Sequence, residues 1–169
     1  FEEMLELSSL GAKVLQIRSV EFASKYEMPI RVLSSFSSTG GTLITNEESS
    51  LESAVISGIT CTDDDSKLIL RNVPDTPGIA AKILSPISEA GIDIDVIVQN
   101  VGSDKLTDFT FTVKNEHSDK AAKILNDLVK TLGGGEIELV KDISKVSVVG
   151  VGMKSHAGVA ARMFKALAE

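Results

Sequence analysis

The stretch NVPDTPGIAAKIL at residues 72–84 decides the fold, because it leads from a strand pattern into a helix pattern through a loop that ends in glycine. A similar stretch, VGMKSHAGVAARMF, returns at residues 151–164. Within the two stretches, GIAAKIL aligns with GVAARMF at a constant offset of 80 residues. Such an offset is the mark of an internal repeat, so the chain is predicted to contain one structural unit and the start of a second copy.

From residue 67 onward the hydrophobic pattern predicts the element order β-α-β-β-α-β, with strands at 67–73, 92–100, 107–113 and 136–140 and helices at 77–90 and 118–132. This is the order of the ferredoxin-like split βαβ fold, an α/β chain of the α+β type with two helices on one face of an antiparallel sheet. Residues 145–151 repeat the first strand, and the sequence ends at Glu169 within the repeated helix. The second unit is therefore expected to be incomplete.

Upstream of these elements, the pattern predicts two short helices, the first at residues 2–10 and the second around Val20, Phe22 and Ala23, followed by a strand at 30–36. A further strand is predicted at 54–60 and a turn at 62–66. The polar stretch after Asn46 has no hydrophobic pattern, so it is predicted to be a linker. The chain is therefore predicted to divide into four segments: a first domain segment at residues 1–46, the linker at 47–53, the first repeat unit with its preceding strand at 54–142, and the start of the second unit at 143–169.

The loop at residues 75–78 allows two interpretations. Thr76 can serve as the N-cap of the helix and Pro77 suits its first position, while Pro86 should kink or shorten the helix and Gly91 should close it. The free amides after Gly78 can instead receive an anion, because the helix dipole favours negative charge there. On the residues alone, capping ranks ahead of ligand binding.

The strand predicted at residues 92–100 strengthens the second interpretation. Its alternation places Ile92, Ile94, Val96 and Val98 on one face, so Asp93, Asp95 and Gln99 fall on the other. If these carboxylates lie near the helix start, they can bind an ammonium while the amides of the helix start bind a carboxylate. A free amino acid carries both of these groups. Aspartates on a solvated strand face remain the simpler alternative.

The composition narrows the range of functions. The net charge is -7 and the pI is near 4.9, and the 17 Lys and Arg residues form no basic stripe of the kind that nucleic acid requires. No apolar run reaches the roughly 18–20 residues that span a bilayer. Cys61 is the single cysteine and is predicted to be a buried apolar side chain. These features predict a cytoplasmic protein with neither nucleic-acid nor membrane partners.

The remaining motifs favour neither a metal nor a dinucleotide. His117 and His156 lack metal-ligand spacing. Gly150 and Gly152 could open a G-x-G-x-x-G loop, but Ser155 stands where the third glycine would fall.

Four segments together resemble bacterial aspartate kinases: SLGAKVLQIRSVEFA, VPDTPGIAAKIL, GIDIDVIVQN and GVGMKSHAGVAARMF, in that order. Residues 1–44 resemble the end of the amino-acid-kinase domain of that family, and residues 54–169 resemble its paired ACT modules. The resemblance implies an enzyme that phosphorylates the side-chain carboxylate of L-aspartate with ATP and Mg at the start of lysine, threonine and methionine synthesis. The segments that hold ATP and aspartate in the family are missing here, so this part is expected to have no catalytic residues and no cofactor of its own.

The resemblance also implies that the ACT modules bind L-lysine, L-threonine or both and inhibit the kinase. It places a first effector site at Asp75, Thr76, Pro77, Gly78, Ile79, Ala80, Ala81, Asp93, Ile94, Asp95 and Gln99. It places a second at Lys154, Ser155, Val159 and Ala160. Because family sites form where modules of two chains meet, a homodimer is expected, with the kinase domain or subunit as a further partner.

Two other functions stay open. One is a stand-alone ACT-type amino-acid sensor, against which residues 1–44 argue, since a sensor has no use for a kinase terminus. The other is a module that only mediates dimerisation, which predicts no binding of any amino acid.

Overall fold

The computed structural model describes residues 1–37, 39–46, 55–102, 105–154 and 156–169, without the side chains of Val101 and Lys154. The predicted linker at 47–53 lies outside the described residues. The described helices are α1 (Glu2–Ser9), α2 (Ile17–Lys25), α3 (Ile79–Glu89), α4 (Ser118–Leu132) and α5 (Val159–Ala168). The described strands are β1 (Ile30–Val32), β2 (Thr42–Ile44), β3 (Gly58–Pro74), β4 (Ile97–Val101), β5 (Leu106–Lys114) and β6 (Glu136–Val149). Short 3-10 helices cover Asn115–His117 and Val151–Lys154.

The chain divides into two compact units. Unit 1 comprises residues 1–62 and 146–169, and unit 2 comprises residues 63–145. The proposed domain boundaries remain predictions.

Unit 2 carries most of a four-stranded sheet with the strand order β4-β5-β3-β6. β5 pairs antiparallel with β3 on one side and with β4 on the other. Together with α3 and α4, this order gives the predicted ferredoxin-like βαββαβ fold, which is confirmed.

Both helices of unit 2 bury an apolar stripe against the sheet. On α3 the stripe is Ile79, Ile83 and Ile87, at the predicted spacing of four residues. The other members of this core are Leu68, Leu70, Val73, Ile92, Phe109, Phe111, Val113, Ala121 and Leu125. Each buried Leu, Ile or Phe side chain contributes about 1.5–3 kcal/mol, so this single layer stabilises the unit.

The start of α3 differs from the prediction. The helix begins at Ile79, and Gly78 before it adopts the left-handed conformation with φ 86°. An N-cap side chain belongs to a residue in the extended region directly before the helix, so Thr76 and Pro77 do not take the predicted positions. Thr76 instead accepts a hydrogen bond from the amide of Ile79 through its backbone carbonyl, at 3.1 Å.

The second repeat copies this start. Gly158 has φ 86° and ψ 2°, against φ 86° and ψ 3° at Gly78. The residues that follow, Val159 and Ile79, are both buried. The internal repeat read from the sequence is therefore confirmed in the backbone.

The end of α3 follows the prediction more closely. Pro86 lies inside the helix, which continues to Glu89, so the predicted shortening is wrong. Gly91 has φ 71°, and its amide donates to the carbonyl of Ser88 at 2.9 Å. Gly91 therefore closes the helix as predicted.

Two predicted interruptions of strands are wrong. Residues 62–66 are part of β3 rather than a turn, and the strands predicted at 136–140 and 145–151 form one continuous β6. Asp65 pairs in register with Lys114 on β5, and Ser66 donates to the Asn115 side chain at 2.5 Å. Partners on a neighbouring strand thus hold this polar segment extended.

β4 is shorter than the strand predicted at 92–100. Ile92 is buried and Ile94 is half-buried against the core, but Val96 and Val98 are 42% and 43% exposed. The expected apolar face therefore holds only for its first two residues. β4 lies at an edge of the sheet, and among the described strands only β5 pairs with it.

Unit 1 contains α1, α2 and a β1–β2 ladder in which Ile30 lies opposite Ile44. Both predicted helices are confirmed. β1 is shorter than the strand predicted at 30–36, and β2 was not predicted. Within the unit, the amide of Ser57 donates to the carbonyl of Val149 at 2.8 Å, and the amide of Val151 donates to Glu3 at 3.3 Å.

The conformation of Gly78 gives a test. Gly78→Ala should lower the free energy of unfolding by about 1–2 kcal/mol, because a Cβ disfavours positive φ. Space is not the constraint, since a Cβ at this position would meet nothing within 4 Å. Gly78→Asn should therefore cost less than Gly78→Ala despite its larger side chain, because Asn tolerates the left-handed region. Urea unfolding followed by circular dichroism decides it, and an equal or larger loss for Asn would contradict the explanation.

Candidate functional site

The loop before α3 exposes a helix start. Residues 75–78 are exposed, and the amide of Asp75 donates to the carbonyl of Lys105 at 2.7 Å. Within the described residues, the amides of Ala80 and Ala81 pair with no acceptor. These amides point out of the helix start and carry its partial positive charge, so they can bind an anion such as a carboxylate.

The second set of predicted residues precedes and enters β4. Asp93, Asp95 and Gln99 are exposed, while Ile94 is half-buried. The amide of Asp95 donates to the carbonyl of Thr112 on β5 at 3.1 Å, and Gln99 lies opposite Phe109. Their alternation relative to Ile94 matches the sequence prediction.

The sheet places these two sets at different ends. β3 ends at Pro74, which lies opposite Leu106, so the loop of residues 75–78 begins at this end of β5. Asp95 lies beside Thr112, toward the other end of β5. The six residue steps from Leu106 to Thr112 along β5 span about 20 Å at about 3.3 Å per step. The interpretation that Asp93 and Asp95 lie near the helix start is therefore wrong within one chain. Gln99, opposite Phe109, lies closer to the loop end.

Asp95 instead joins a group of charges inside unit 2, which we call the charge network: Asp65, Asp95, Lys114 and Lys145. Lys145 donates to Asp95 and lies 4.0 Å from Asp65. Lys114 donates to Asp65 at 3.0 Å. The side chain of Asp65 is only 2% exposed, so it depends on these two cations in place of water.

The sequence analysis missed the charge network because its members come from β3, β5, β6 and the segment before β4. Asp65 was assigned to a turn, and Lys145 to the start of a new strand. Only the register Asp65 to Lys114, which follows from strand pairing, brings these charges together. No spacing along the sequence signals it.

The predicted second site is only partly described. Val159 is buried at the start of α5, and Ala160 beside it is exposed. Ser155 and the side chain of Lys154 lie outside the described residues. The ring Nδ1 of His156 lies 2.8 Å from the carbonyl oxygen of Gly152.

Three other features bear on function. Cys61 is exposed, so its prediction as a buried apolar residue is wrong. Its neighbour on β3, Thr60, is buried instead, because successive side chains of a strand point to opposite faces. No group of three His, Cys, Asp or Glu side chains within the described ranges could hold a metal ion. None of the described helices is both long and apolar enough to cross a membrane.

Resolved pKa shifts occur at exposed ion pairs outside the charge network. Glu138 accepts from Arg71 at 2.8 Å and raises the pKa of Arg71. Lys130 donates to Asp127 at 2.8 Å and lowers the pKa of Asp127. The Asp127 pair therefore stabilises the fold above the unfolded pKa of the carboxyl, and its contribution is lost as the pH falls through the lowered value. Because both groups are exposed, this effect is small.

Comparison with known families defines the class first. Residues 68–133 and residues 146–169 each match the ACT domain family. The chain is therefore a protein with one ACT domain and a segment of a second.

More specific relatives follow. An aspartate kinase from Pseudomonas fluorescens is 59% identical over 170 residues, covering 100% of this chain and 41% of that relative. The regulatory subunit of aspartate kinase from Thermus thermophilus is 38% identical with a TM-score of 0.62, over 68% of this chain and 76% of that one. Aspartate kinase from Clostridium acetobutylicum is 25% identical with a TM-score of 0.81, over 99% of this chain and 38% of that one. The chain belongs to the aspartate kinase family and corresponds to its regulatory, ACT-containing part, which confirms the resemblance.

The charge network gives a second test. Asp65→Asn should lower the free energy of unfolding by about 2 kcal/mol, because it removes the buried carboxylate that accepts from Lys114 and that also lies beside the largely covered Lys145. Asp119→Asn is the matched control, since it also removes a carboxylate from a lysine, but one that is 80% exposed. Its loss should stay below about 1 kcal/mol. Equal losses in urea unfolding would show that burial of Asp65 does not matter.

Proposed function

We propose that this chain is the regulatory portion of an enzyme that phosphorylates the side-chain carboxylate of L-aspartate with ATP. In this proposal its ACT domains bind L-lysine, L-threonine or both, and binding inhibits the kinase. The observation that carries the proposal is the exposed start of α3, where Gly78 turns the chain and the amides of Ala80 and Ala81 have no acceptor in the described structure. The Thermus relative, named as a regulatory subunit, and the Clostridium relative, named as an allosteric enzyme, support it.

An amino-acid zwitterion fits two complementary groups. Its carboxylate would be bound by the amides at the start of α3, aided by the helix dipole. Its ammonium would be bound by Asp95, with Asp93 adding negative potential. Gly78 lets the ligand approach the backbone closely, because no side chain stands there.

These groups come together only if two chains contribute. β4 is an edge strand with free ladder positions, and it carries the exposed apolar residues Ile97 and Val98, with exposed Val96 directly before it. Antiparallel pairing of β4 with its copy across a two-fold axis would bring Asp95 of one chain to the loop end of the other. We therefore propose a homodimer through the ACT domains with the effector between the chains.

The phosphoryl transfer itself belongs to other residues. ATP and Mg are required by the proposed activity of the full-length enzyme. The described residues contain no group of three His, Cys, Asp or Glu side chains that could hold a metal ion by themselves. No step of the transfer is assigned to this chain; its partner in the reaction would be the kinase domain or subunit.

Asp95→Asn tests the ammonium site. In the full-length enzyme it should raise the dissociation constant of the effector about tenfold or more, since a hydrogen bond to a charged group contributes about 1.5–3 kcal/mol. Isothermal titration with L-lysine and L-threonine, separately and together, measures it, alongside aspartate phosphorylation without effector, which should not change. Asp119→Asn on α4 is the control for loss of an exposed carboxylate. An unchanged dissociation constant would reject the role of Asp95. If the wild type shows no binding of either amino acid, a module that only mediates dimerisation would be favoured.

A mixed dimer tests whether the site is shared. Thr76→Trp should block the loop of one chain, and Asp95→Asn should disable the acidic end. Each homodimer should lose both sites, whereas a heterodimer with one variant on each chain keeps one intact site out of two. Statistical exchange on 1:1 mixing makes about half of the dimers heterodimers, so recovery of about a quarter of the wild-type binding stoichiometry is expected. Absence of any recovery would place both groups in a site within one chain.

A further inference from the structure

The carboxylate assigned to the ammonium already has a cation from its own chain. Lys145 on β6 donates to Asp95, and its side chain is only 16% exposed, against 51% for Asp95. The cation is thus largely covered by protein while the carboxylate remains open to solvent. An incoming ammonium would meet Asp95 from the solvent side and find it paired.

We propose that Lys145 occupies Asp95 in the absence of effector and that the ammonium of a bound amino acid displaces it. Lys145 is then a positioning residue that sets effector affinity by competition. The inference rests on the proposed function, because it takes Asp95 as the group that receives the ammonium.

Asp65 makes this exchange feasible. The nitrogen of Lys145 lies 4.0 Å from Asp65 Oδ2, so it can close on Asp65 when it leaves Asp95. Asp65 is 2% exposed and keeps its second cation, Lys114, at 3.0 Å. A displaced Lys145 would therefore keep a countercharge, and the number of paired charges would not fall. Without Asp65, displacement from Asp95 would leave the covered ammonium of Lys145 without a countercharge. That costs far more free energy than exchanging one carboxylate partner for another.

Competition between Lys145 and the ligand should lower the effector affinity by a measurable factor. A ligand whose acceptor is already occupied binds with its affinity reduced by the fraction of free acceptor. For an ion pair between a covered lysine and a half-exposed aspartate, the reduction should be about three- to tenfold.

Lys145→Met tests the proposal, because it keeps the length and apolar stem of the side chain and removes only the charge. In the full-length enzyme, its dissociation constant for L-lysine or L-threonine should fall about three- to tenfold. Lys141→Met is the matched control: Lys141 lies four residues earlier on β6 and pairs with Asp119, outside the charge network, at 2.7 Å. It should leave the dissociation constant within about twofold of wild type.

Two further variants distinguish competition from general loosening of the unit. Lys145→Arg keeps the charge and should bind within about twofold of wild type. In the Asp95→Asn background, Lys145→Met should no longer tighten binding, because the acceptor that the two cations share is gone. Tightening that persists without Asp95 would overturn the proposal.

The remaining outcomes separate the two proposals. If wild type binds an amino acid and Lys145→Met binds it equally or more weakly, competition is overturned while the proposed function stands. If Lys145→Met does not fold, Lys145→Gln takes its place with the same expectation. If wild type binds neither amino acid, the proposed function fails, and this inference fails with it.

Discussion

The antiparallel pairing of β3 with β5 is the constraint on which the rest of unit 2 depends. Its register sets Leu68 opposite Phe111 and Leu70 opposite Phe109, and these four side chains are buried under α3 and α4. A shift of one residue would turn each strand over and expose this set, so the register is strongly fixed. The same register carries the loop of residues 75–78 to one end of the sheet and sets Asp65 beside Lys114 at the other.

As a consequence, the two groups of candidate site residues lie at opposite ends of the sheet. The unpaired amides at the start of α3 lie at the loop end of the sheet, and Asp95 lies about 20 Å away along β5. In the proposed site, the amides would bind the carboxylate of a zwitterion and Asp95 its ammonium, and within one chain these groups lie too far apart to bind one amino acid. A site that needs two chains would make ligand binding and assembly depend on each other, because whatever binds at the junction stabilises the assembled form over its separated chains.

The repeated turn shows how little sequence such a unit requires. Gly78 and Gly158 share one backbone conformation, although their preceding loops, VPDTP and KSHA, have no common residues. What the copies share is a glycine at positive φ followed by a buried β-branched residue, Ile79 or Val159. This pair of features, followed in both copies by two alanines, recurs at both helix starts, whereas the loop before it differs.

The sequence by itself determined the elements and their order. The hydrophobic pattern predicted helices at residues 77–90 and 118–132 and a strand at 107–113, close to the observed α3, α4 and β5. These patterns are local, since each reports which side of one element faces the core. The candidate residues of the loop and of the segment around Asp95 were also found this way.

Only the tertiary structure decided how these pieces meet. It placed Asp95 away from its own loop, joined residues 62–66 to β3, and paired Asp95 with Lys145, 50 residues away in sequence. The start of α3 also differed, because a glycine at positive φ, rather than a threonine side chain, forms its N-terminal boundary. The physical reason is common to all of these. Strand register and ion pairing are set by partners distant in sequence, and no local pattern of polar residues records which partner will be opposite.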